Sequence, residues 1–323
     1  MRIFVTGATG FLGNNLVRML LEQGHQVTAA KRITSDLRPL DSLDVEAVDV
    51  NLNDPSEVSL QLEEIDLVIH SAAMIQLGWS KLAASRKINV DATRTLAQAA
   101  RRREIRMIHV STVDVLAECI DHPVTESQTE PPKPGCSYVV SKREAADAFA
   151  EEIALGLDGV TVLPGFMVGP WDWRPSSGEM MMAIYKNLLL FAPAGGCSVV
   201  DVRDVAAGIV SSIEHGRAGQ KYIMGGDNLT YLDLWQRMAK IMQRPAPKYA
   251  LPNWLAETAG RFGDFASKFL KEETQVNTGA TRMGQLKHWV DSSKAKKELG
   301  YQTQSIDTAL EDAWKWFKAY DYV

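Results

Sequence analysis

Cysteine is scarce in this 323-residue sequence, and its three copies lie far apart, at Cys119, Cys136 and Cys197. An odd number of widely spaced cysteines argues against a disulfide framework or a zinc site and favours free thiols in a reducing compartment. Long apolar runs are also missing, since the longest, near 188–194, falls far short of the roughly 20 residues that cross a bilayer. The net charge of −5 implies no broad attraction to nucleic acid or anionic lipid. We therefore expect a cytoplasmic protein with no metal site, no membrane span and no nucleic-acid partner.

Glycine, by contrast, recurs at three-residue spacing close to the N-terminus. The apolar run Ile3 to Val5 is followed by Gly7, Gly10 and Gly13 and then by a helical rhythm of leucines. Strand, glycine turn and helix form the context that a dinucleotide-binding loop requires, because glycines let backbone N–H groups approach a pyrophosphate at the positive end of a helix. The sequence therefore predicts a dinucleotide site, with an ordinary glycine-rich turn as the weaker alternative. Since the first strand starts at once, no signal peptide is expected.

The end of the second predicted strand, 26–30, bears on the choice of cofactor. An acid there favours NAD by accepting from the ribose 2′-hydroxyl, whereas cations favour NADP by holding its 2′-phosphate. Lys31 and Arg32 end this strand, and a guanidinium matches a phosphate well. The sequence therefore favours NADP over NAD, with a solvated basic loop as the alternative.

Strand and helix patterns alternate along the first half of the chain. Further strands are predicted over 45–48, 66–70 and 107–110, and another over 198–202 is expected to return to the same sheet. This alternation predicts an α/β fold with a Rossmann-type, doubly wound parallel sheet. A change of composition after residue 170 predicts a smaller, mostly helical C-terminal substrate domain. The expected division is a dinucleotide-binding domain of 1–170, to which 198–222 returns, and a substrate domain of 171–197 and 223–323.

A predicted helix from about 137 to 157 carries Tyr138 and Lys142 one turn apart, on one face. The ordinary pKa of a tyrosine, about 10, is too high for efficient proton exchange near neutrality. A neighbouring ammonium, together with an oxidised nicotinamide, would favour the phenolate. The Ser-Thr pair after the fifth strand adds a hydroxyl, Thr112, that could hold a substrate oxygen. Alone, the Tyr-Lys pair would be an ordinary solvent-facing pair.

Several short segments occur together in one order, mostly in the first half of the chain: TGATGFLG (6–13), HSAA (70–73), NVDAT (89–93), VST (110–112), YVVSK (138–142) and PGFMVGP (164–170). With these segments the chain resembles the extended short-chain dehydrogenase/reductases, the NAD-dependent epimerase/dehydratase family. The last segment is most similar to the branch of dihydroflavonol 4-reductase and 3β-hydroxysteroid dehydrogenase. The resemblance implies a Rossmann fold, a bound NAD(P) and a small-molecule substrate.

The resemblance also implies roles for individual residues. Thr112 would orient the substrate oxygen, Tyr138 would exchange its proton, and Lys142 would lower the pKa of Tyr138. Asn51 departs from the aspartate that relatives usually carry near the adenine. The implied cofactor contacts, with Lys31 and Arg32 added from the strand end, are Gly7, Thr9, Gly10, Phe11, Leu12, Gly13, Asn51, Leu52, Ala72, Ala73, Asn89, Tyr138, Lys142, Pro164, Phe166 and Met167.

Two local differences bear on the reaction. Leu163 and Phe166 stand where sugar-nucleotide epimerases tend to carry Arg and Asn, and Val113 and Asp114 follow Thr112 where dehydratases carry Asp-Glu. The favoured interpretation is an NADP(H)-dependent oxidoreductase that transfers a hydride between nicotinamide and a carbonyl or carbinol carbon of an apolar or aromatic molecule. A sugar epimerase with tightly bound NAD(P) is the runner-up. A non-catalytic NADP-sensing regulator is a distant third, because sensors of this fold usually lose the tyrosine and lysine.

Methionine and aromatic residues mark the expected substrate side. Met74 and Trp79 follow the fourth strand and Trp171 opens the second domain, so we expect these three to contact the substrate. An amphipathic helix over 254–270 is expected to bury its apolar face in the core. Family habit implies a possible homodimer through the helices that hold Ala97 and Tyr138.

Overall fold

The structure is a computed structural model that describes residues 1–128, 135–188, 191–270 and 273–323. Its strands are β1 (Arg2–Thr6), β2 (Gln26–Lys31), β3 (Glu46–Asp49), β4 (Leu67–His70), β5 (Arg106–Val110), β6 (Gly159–Pro164), β7 (Phe166–Val168), β8 (Phe191–Ala192), β9 (Gly196–Asp201), β10 (Lys221–Met224), β11 (Asp227–Thr230), β12 (Tyr249–Ala250) and β13 (Lys287–His288). Its helices are α1 (Phe11–Glu22), α2 (Pro55–Gln61), α3 (Leu82–Arg86), α4 (Ala92–Arg102), α5 (Ser137–Ala154), α6 (Gly178–Tyr185), α7 (Val202–His215), α8 (Tyr231–Ile241), α9 (Asn253–Ser267), α10 (Thr278–Gln285), α11 (Ser293–Leu299) and α12 (Ile306–Ala319).

The main sheet of the described residues is parallel, with the strand order β10-β6-β5-β4-β1-β2-β3. Helices cover both faces, so β1 reads as a continuous apolar run. Ile3 and Val5 pack with α1 and α7 on one face, whereas Phe4 packs with α4 and α5 on the other. Each such buried side chain contributes about 1.5–3 kcal/mol relative to exposure. The predicted Rossmann-type sheet is confirmed.

The prediction that 198–202 returns to the main sheet is wrong. β9 lies in a second sheet, where it pairs with β7, β11 and β13. Return to the first sheet is made instead by α7, which packs on α1, and by β10 at the edge beside β6. An apolar strand pattern predicts that a strand is buried. It does not predict which strand it pairs with, because pairing depends on distant parts of the chain.

Part of the segment predicted for the substrate domain, 223–323, packs on the main sheet. Ala295 and Leu299 of α11 and the following Tyr301 are buried in the same apolar cluster as α1 and α7. The second sheet has its own cluster, formed with α6, α8 and α12. No helix among the described residues combines the length and hydropathy that a membrane crossing requires.

The helix predicted near 254–270 forms as α9, but the expected burial of its apolar face is wrong. Trp254, Phe262 and Phe265 are exposed. Gly260 and Gly263 are the buried residues of this helix, because α10 and the turn before it pack closely against them. The large side chains therefore point away from the core.

Candidate active site

The glycine turn between β1 and α1 has room for an anion. Gly7 adopts a left-handed φ of +72°, and a Cβ there would lie 2.7 Å from the backbone nitrogen of Ala72. A Cβ on Gly13 would strike the carbonyl oxygen of Gly7, so the first and third glycines permit close packing. A Cβ on Gly10 would meet only that same oxygen, at 3.1 Å, and otherwise faces open space. This open cradle fits a pyrophosphate group.

Helix α1 strengthens this cradle electrostatically. It begins at Phe11, with Gly10 as its N-cap, and its first turn contains no acidic residue. Within the described residues, no side chain caps its first N–H groups, which leaves them and the positive helix end available to an anion.

The carboxyl ends of β1, β4 and β5 meet beside this turn, since Thr6, His70 and His109 are aligned in register. Nδ1 of His70 lies 2.7 Å from the hydroxyl of Thr6, and Nε2 lies 3.0 Å from that of Thr93. Burial lowers the pKa of His70 to about 3, so the ring is neutral. These contacts give His70 a structural role.

Lys142 is buried on α5 and donates from Nζ to the carbonyl oxygen of Val110, at 2.8 Å. Burial lowers the pKa of Lys142 to about 8. This contact places the ammonium at the end of β5, two residues before Thr112. Two of its three protons remain for other acceptors.

Asn89 fixes the loop after β4 to α5. Its Oδ1 accepts from the backbone N–H of Met74 at 2.7 Å, and its Nδ2 donates to the carbonyl of Met74 at 3.0 Å and to the hydroxyl of Ser141 at 2.9 Å. Asn89 is therefore a positioning residue in the described structure, and direct contact with a cofactor stays a prediction.

Thr112 and Tyr138 lie near each other, close enough for the Thr112 hydroxyl to lower the pKa of the Tyr138 phenol. The Thr112 hydroxyl donates to Oδ2 of Asp114 at 3.0 Å and accepts from the backbone N–H of Asp114 at 3.2 Å. A hydroxyl has one proton. In this arrangement the Thr112 proton is given to Asp114 and the oxygen can accept from a substrate hydroxyl, while the role of Thr112 in orienting the substrate oxygen stays a prediction.

Asp114 forms an ion pair with His288, whose Nδ1 lies 3.0 Å from Oδ1. Burial would raise the pKa of Asp114, but the charge and hydrogen bond of His288 and the Thr112 hydroxyl together hold it below its ordinary value. Burial likewise opposes protonation of His288, yet the carboxylate raises the pKa of the imidazole above its ordinary value. Thr112, Asp114 and His288 thus form one connected polar chain near Tyr138.

The environment of Tyr138 keeps the phenol protonated. Burial raises its pKa far above the ordinary value, the charge of Asp114 raises it further, and the hydrogen bond of Thr112 only partly opposes them. Lys142 is directed to Val110. The described residues alone therefore do not lower the pKa of Tyr138, and the lowering expected beside an oxidised nicotinamide stays a prediction.

Comparison with known proteins now identifies the family. Residues 3–225, more than half of the chain, match the NAD dependent epimerase/dehydratase family. The chain belongs to this family. It is 32% identical to a putative dihydroflavonol 4-reductase of Synechocystis sp., over 99% of its own length and 95% of that protein's. It is 31% identical to sterol demethylase protein B of Methylococcus capsulatus, over 98% of each chain. The crystal structure of gox2253 matches with a TM-score of 0.86 and 30% identity, over 98% of both chains.

The predicted resemblance to the extended short-chain dehydrogenase/reductases is therefore confirmed, and the protein is an oxidoreductase of that family. Its glycine cradle and the strand ends beside it fit the dinucleotide that gives the family its name. When bound, this cofactor supplies or accepts the hydride.

The two cations predicted to select NADP differ in their surroundings in this dehydrogenase/reductase. Nζ of Lys31 forms an ion pair with Oδ1 of Asp49 at 2.6 Å. Arg32 is exposed, and no ion pair of the described residues includes its guanidinium. Arg38 is held by Asp36. Of the two predicted cations, Arg32 is thus the one whose charge is not already paired with an acid among the described residues.

The remaining predicted cofactor residues occupy loops and strand ends around the cradle. Asn51 is exposed, and its Oδ1 accepts from the backbone N–H of Asn53. Leu52 packs partly into the core under β3. Pro164 ends β6, after which Phe166 and Met167 form β7. Near the glycine turn, Thr9 and Phe11 are half-buried and Leu12 is buried in α1. After the end of β4, Ala72 is half-buried and Ala73 is exposed.

The predicted substrate residues fall in different places. Trp79 is partly exposed, and its backbone N–H donates to Oε1 of Glu273 at 2.9 Å. Glu273 also binds the side chains of Gln76 and Ser80, so it ties the loop that carries Met74 and Trp79 to the segment before α10. The C-terminal part of the chain thus contacts the loop that follows β4.

Trp171 lies elsewhere. Its ring stacks on the guanidinium of Arg18, 3.8 Å from the ring centroid, and contacts Trp173, Trp316 and Tyr320. These contacts join α1 to α12, and they give no support to the predicted role of Trp171 in substrate binding.

His288 is the site residue that the sequence pattern does not indicate. Its short strand and its distance along the chain from Thr112 leave no local signal. Asp114 stands out only as a departure from the Asp-Glu pair of dehydratases. Among the described residues, no cluster of three or more His, Cys, Asp or Glu side chains could hold a metal ion.

Proposed function

We propose that this protein is an NADP(H)-dependent reductase of apolar or aromatic ketones, which transfers a hydride between nicotinamide and a carbonyl or hydroxyl carbon. The observation that carries the proposal is the contact of Lys142 with the end of β5, two residues before Thr112, with Tyr138 near Thr112 and the open glycine cradle at the carboxyl end of the same sheet. These residue types are the proton donor, hydroxyl and ammonium that carbonyl reduction requires.

The chain's own residues handle the proton. Tyr138 stays protonated because burial and Asp114 raise its pKa, so it can donate to the oxygen of a bound ketone. Thr112, whose proton is given to Asp114, accepts from the new substrate hydroxyl after proton transfer. Lys142 keeps one N–H on Val110, and its other two N–H groups would hold the ribose hydroxyls of a bound cofactor. A neutral phenol favours the reductive direction.

Two observations support an apolar substrate. Leu163 is buried in an apolar cluster and Phe166 packs against another, so neither position offers the polar contact that sugar-nucleotide epimerases make. The loop after β4 carries Met74 and Trp79, whose thioether and indole suit an apolar or aromatic substrate.

The test is NADPH oxidation with flavonoid, steroid and small aromatic ketones, with nucleotide sugars alongside. We expect turnover of one or more ketones, and loss of turnover with retained NADPH binding in Tyr138→Phe. Full activity of Tyr138→Phe would overturn the proton-transfer role. Activity confined to nucleotide sugars would overturn the substrate class.

A second candidate is a sugar epimerase that retains its cofactor. It is favoured by the Asp114–His288 pair, which gives the site another acid and base beside Thr112. Such an enzyme would release NAD(P) only on denaturation and would interconvert a sugar without net cofactor consumption.

A further inference from the structure

Helix α9 has the reverse of the usual amphipathic arrangement. Trp254 is 69% exposed, Phe262 73% and Phe265 57%, and Phe269 in the turn that follows is 76% exposed. With Leu255, these side chains fall on one side at helical spacing. We call Trp254, Leu255, Phe262, Phe265 and Phe269 the α9 aromatic face.

The inward side of α9 packs so closely on α10 and the turn before it that the orientation of α9 is fixed. A Cβ on Gly260 would come within 2.6 Å of the hydroxyl of Thr281 in α10. A Cβ on Gly263 would strike the carbonyl of Val276. Asp264 accepts from the hydroxyl of Thr278 at 2.7 Å. Because the close helix contact needs glycine, α9 cannot rotate to bury its aromatic side chains without losing the contact with α10.

Two basic residues border the α9 aromatic face on one side. Arg261 and Lys268 are exposed, and the helical period places both along one edge of the face. The acidic Glu257 lies beyond them, further from the aromatic residues. An aromatic stripe with basic residues at its edge is the pattern of a helix that lies in the interface of an anionic bilayer.

Two more exposed aromatic side chains lie on the short strands β8 and β12, close along the chain to α9 in the case of β12. Phe191 and Tyr249 are exposed register partners of β8 and β12, so both side chains lie on the same side of this two-stranded sheet. β12 leads directly into α9, and Lys248 beside Tyr249 adds another exposed cation. Tyrosine and tryptophan suit the interface because they combine an apolar ring with a polar group.

We propose that the α9 aromatic face docks on the surface of a bilayer that contains anionic phospholipid. The aromatic side chains enter the acyl boundary, while Arg261 and Lys268 contact lipid phosphates. The net charge of −5 does not oppose this, because the attraction is local and acts within about 10 Å at moderate salt.

Docking would place the bilayer beside the substrate side of the site. α9 is followed by Glu273, which binds the loop of Gln76, Trp79 and Ser80, and then by α10. A lipophilic ketone could therefore pass from the membrane to this loop. That route rests on the proposed function, whereas docking itself does not.

The experiment is cosedimentation of the full chain with vesicles of phosphatidylcholine alone or mixed with phosphatidylglycerol, without substrate or cofactor. We expect binding to the mixed vesicles that weakens as salt rises. The double variant Phe262→Gln/Phe265→Gln should bind at least about tenfold more weakly, because each buried phenylalanine side chain is worth roughly that factor or more. Leu60→Gln/Leu155→Gln, which alters exposed leucines outside the face, should bind like the wild type.

A charge variant provides a second readout. Arg261→Glu/Lys268→Glu should lose binding to the mixed vesicles while keeping the thermal stability of the wild type. The proposal is overturned if the wild type binds neither vesicle, or if the phenylalanine variant binds equally well. It is also overturned if these substitutions only abolish a dimer seen by sedimentation, since the face would then join two copies of the chain. Turnover of a water-soluble ketone by the phenylalanine variant separates a failure of docking from a failure of the proposed function.

Discussion

Nδ1 of His288 lies 3.0 Å from the carboxylate of Asp114, which binds the hydroxyl of Thr112 through its other oxygen. His288 belongs to β13 of the second sheet, whereas Asp114 follows the end of β5 in the main sheet. The ion pair therefore connects the C-terminal part of the chain directly to Asp114 and Thr112, near Tyr138. A change at this pair should therefore alter the pKa of the Tyr138 phenol.

The first prediction concerns Asp114→Asn. The charge of Asp114 is, after burial, the main factor that raises the pKa of Tyr138, so its removal lowers that pKa. We expect the pH profile of kcat/KM for alcohol oxidation to move to lower pH, because the phenolate forms earlier. Asp121→Asn is the matched control, since Asp121 is exposed. A profile unchanged from the wild type would show that Asp114 does not act on the phenol.

The second prediction is a pH-dependent coupling between Asp114 and His288. Asp114 has a lowered pKa, so its stabilising contribution is lost as the pH falls through its folded pKa. His288 has a raised pKa, so its contribution is complete below the unfolded value of about 6.5 and is lost as the pH rises through the folded value. The coupling should therefore be largest between about pH 4 and 6.5.

A double-mutant cycle of Asp114→Asn and His288→Gln, measured by urea unfolding, tests this window. We expect an interaction of about 1–3 kcal/mol near pH 6 that shrinks markedly near pH 9. An interaction of equal size at both pH values would mean that hydrogen bonding, and not charge, joins the two residues.

Local patterns predicted much of the site. β1, the glycine turn and the shared face of Tyr138 and Lys142 depend on residues that are neighbours along the chain. The position of Thr112 at the sheet edge follows from the strand that precedes it in the sequence. In each case a short-range rule of backbone geometry is enough.

The features that the sequence does not predict depend on contacts between residues far apart along the chain. His288 reaches Asp114 only because β13 pairs with β9, and β9 joins the second sheet, not the first. The outward aromatic face of α9 follows from the close contact of Gly260 and Gly263 with α10 and the turn before it, which a helical periodicity cannot distinguish from the ordinary inward one.

The third prediction separates the two cations at the end of β2. Lys31 is paired with Asp49, whereas Arg32 is exposed without an ion pair among the described residues. Arg32→Ala should weaken NADPH binding by about 1.5–3 kcal/mol, the value of a charge-assisted hydrogen bond, and leave NADH binding unchanged. Lys31→Ala should have the smaller effect, and Arg102→Ala, an exposed arginine on α4, serves as the control. Calorimetric titration with both cofactors measures the difference, and equal losses for NADPH and NADH would remove the case for a 2′-phosphate contact.

The fourth prediction is that cofactor affinity falls above about pH 8. Burial lowers the pKa of Lys142 to about 8, so the ammonium is present below this pH and is lost as the pH rises through it. Only the charged form has protons for both the Val110 carbonyl and two ribose hydroxyls. Fluorescence titration with NADPH from pH 7 to about 9.5 should therefore show a declining affinity in the wild type, whereas Lys142→Arg, which stays charged, should show a flat profile even if its affinity is lower. A wild-type affinity that stays constant across this range would mean that the lysine charge makes no contribution to holding the cofactor.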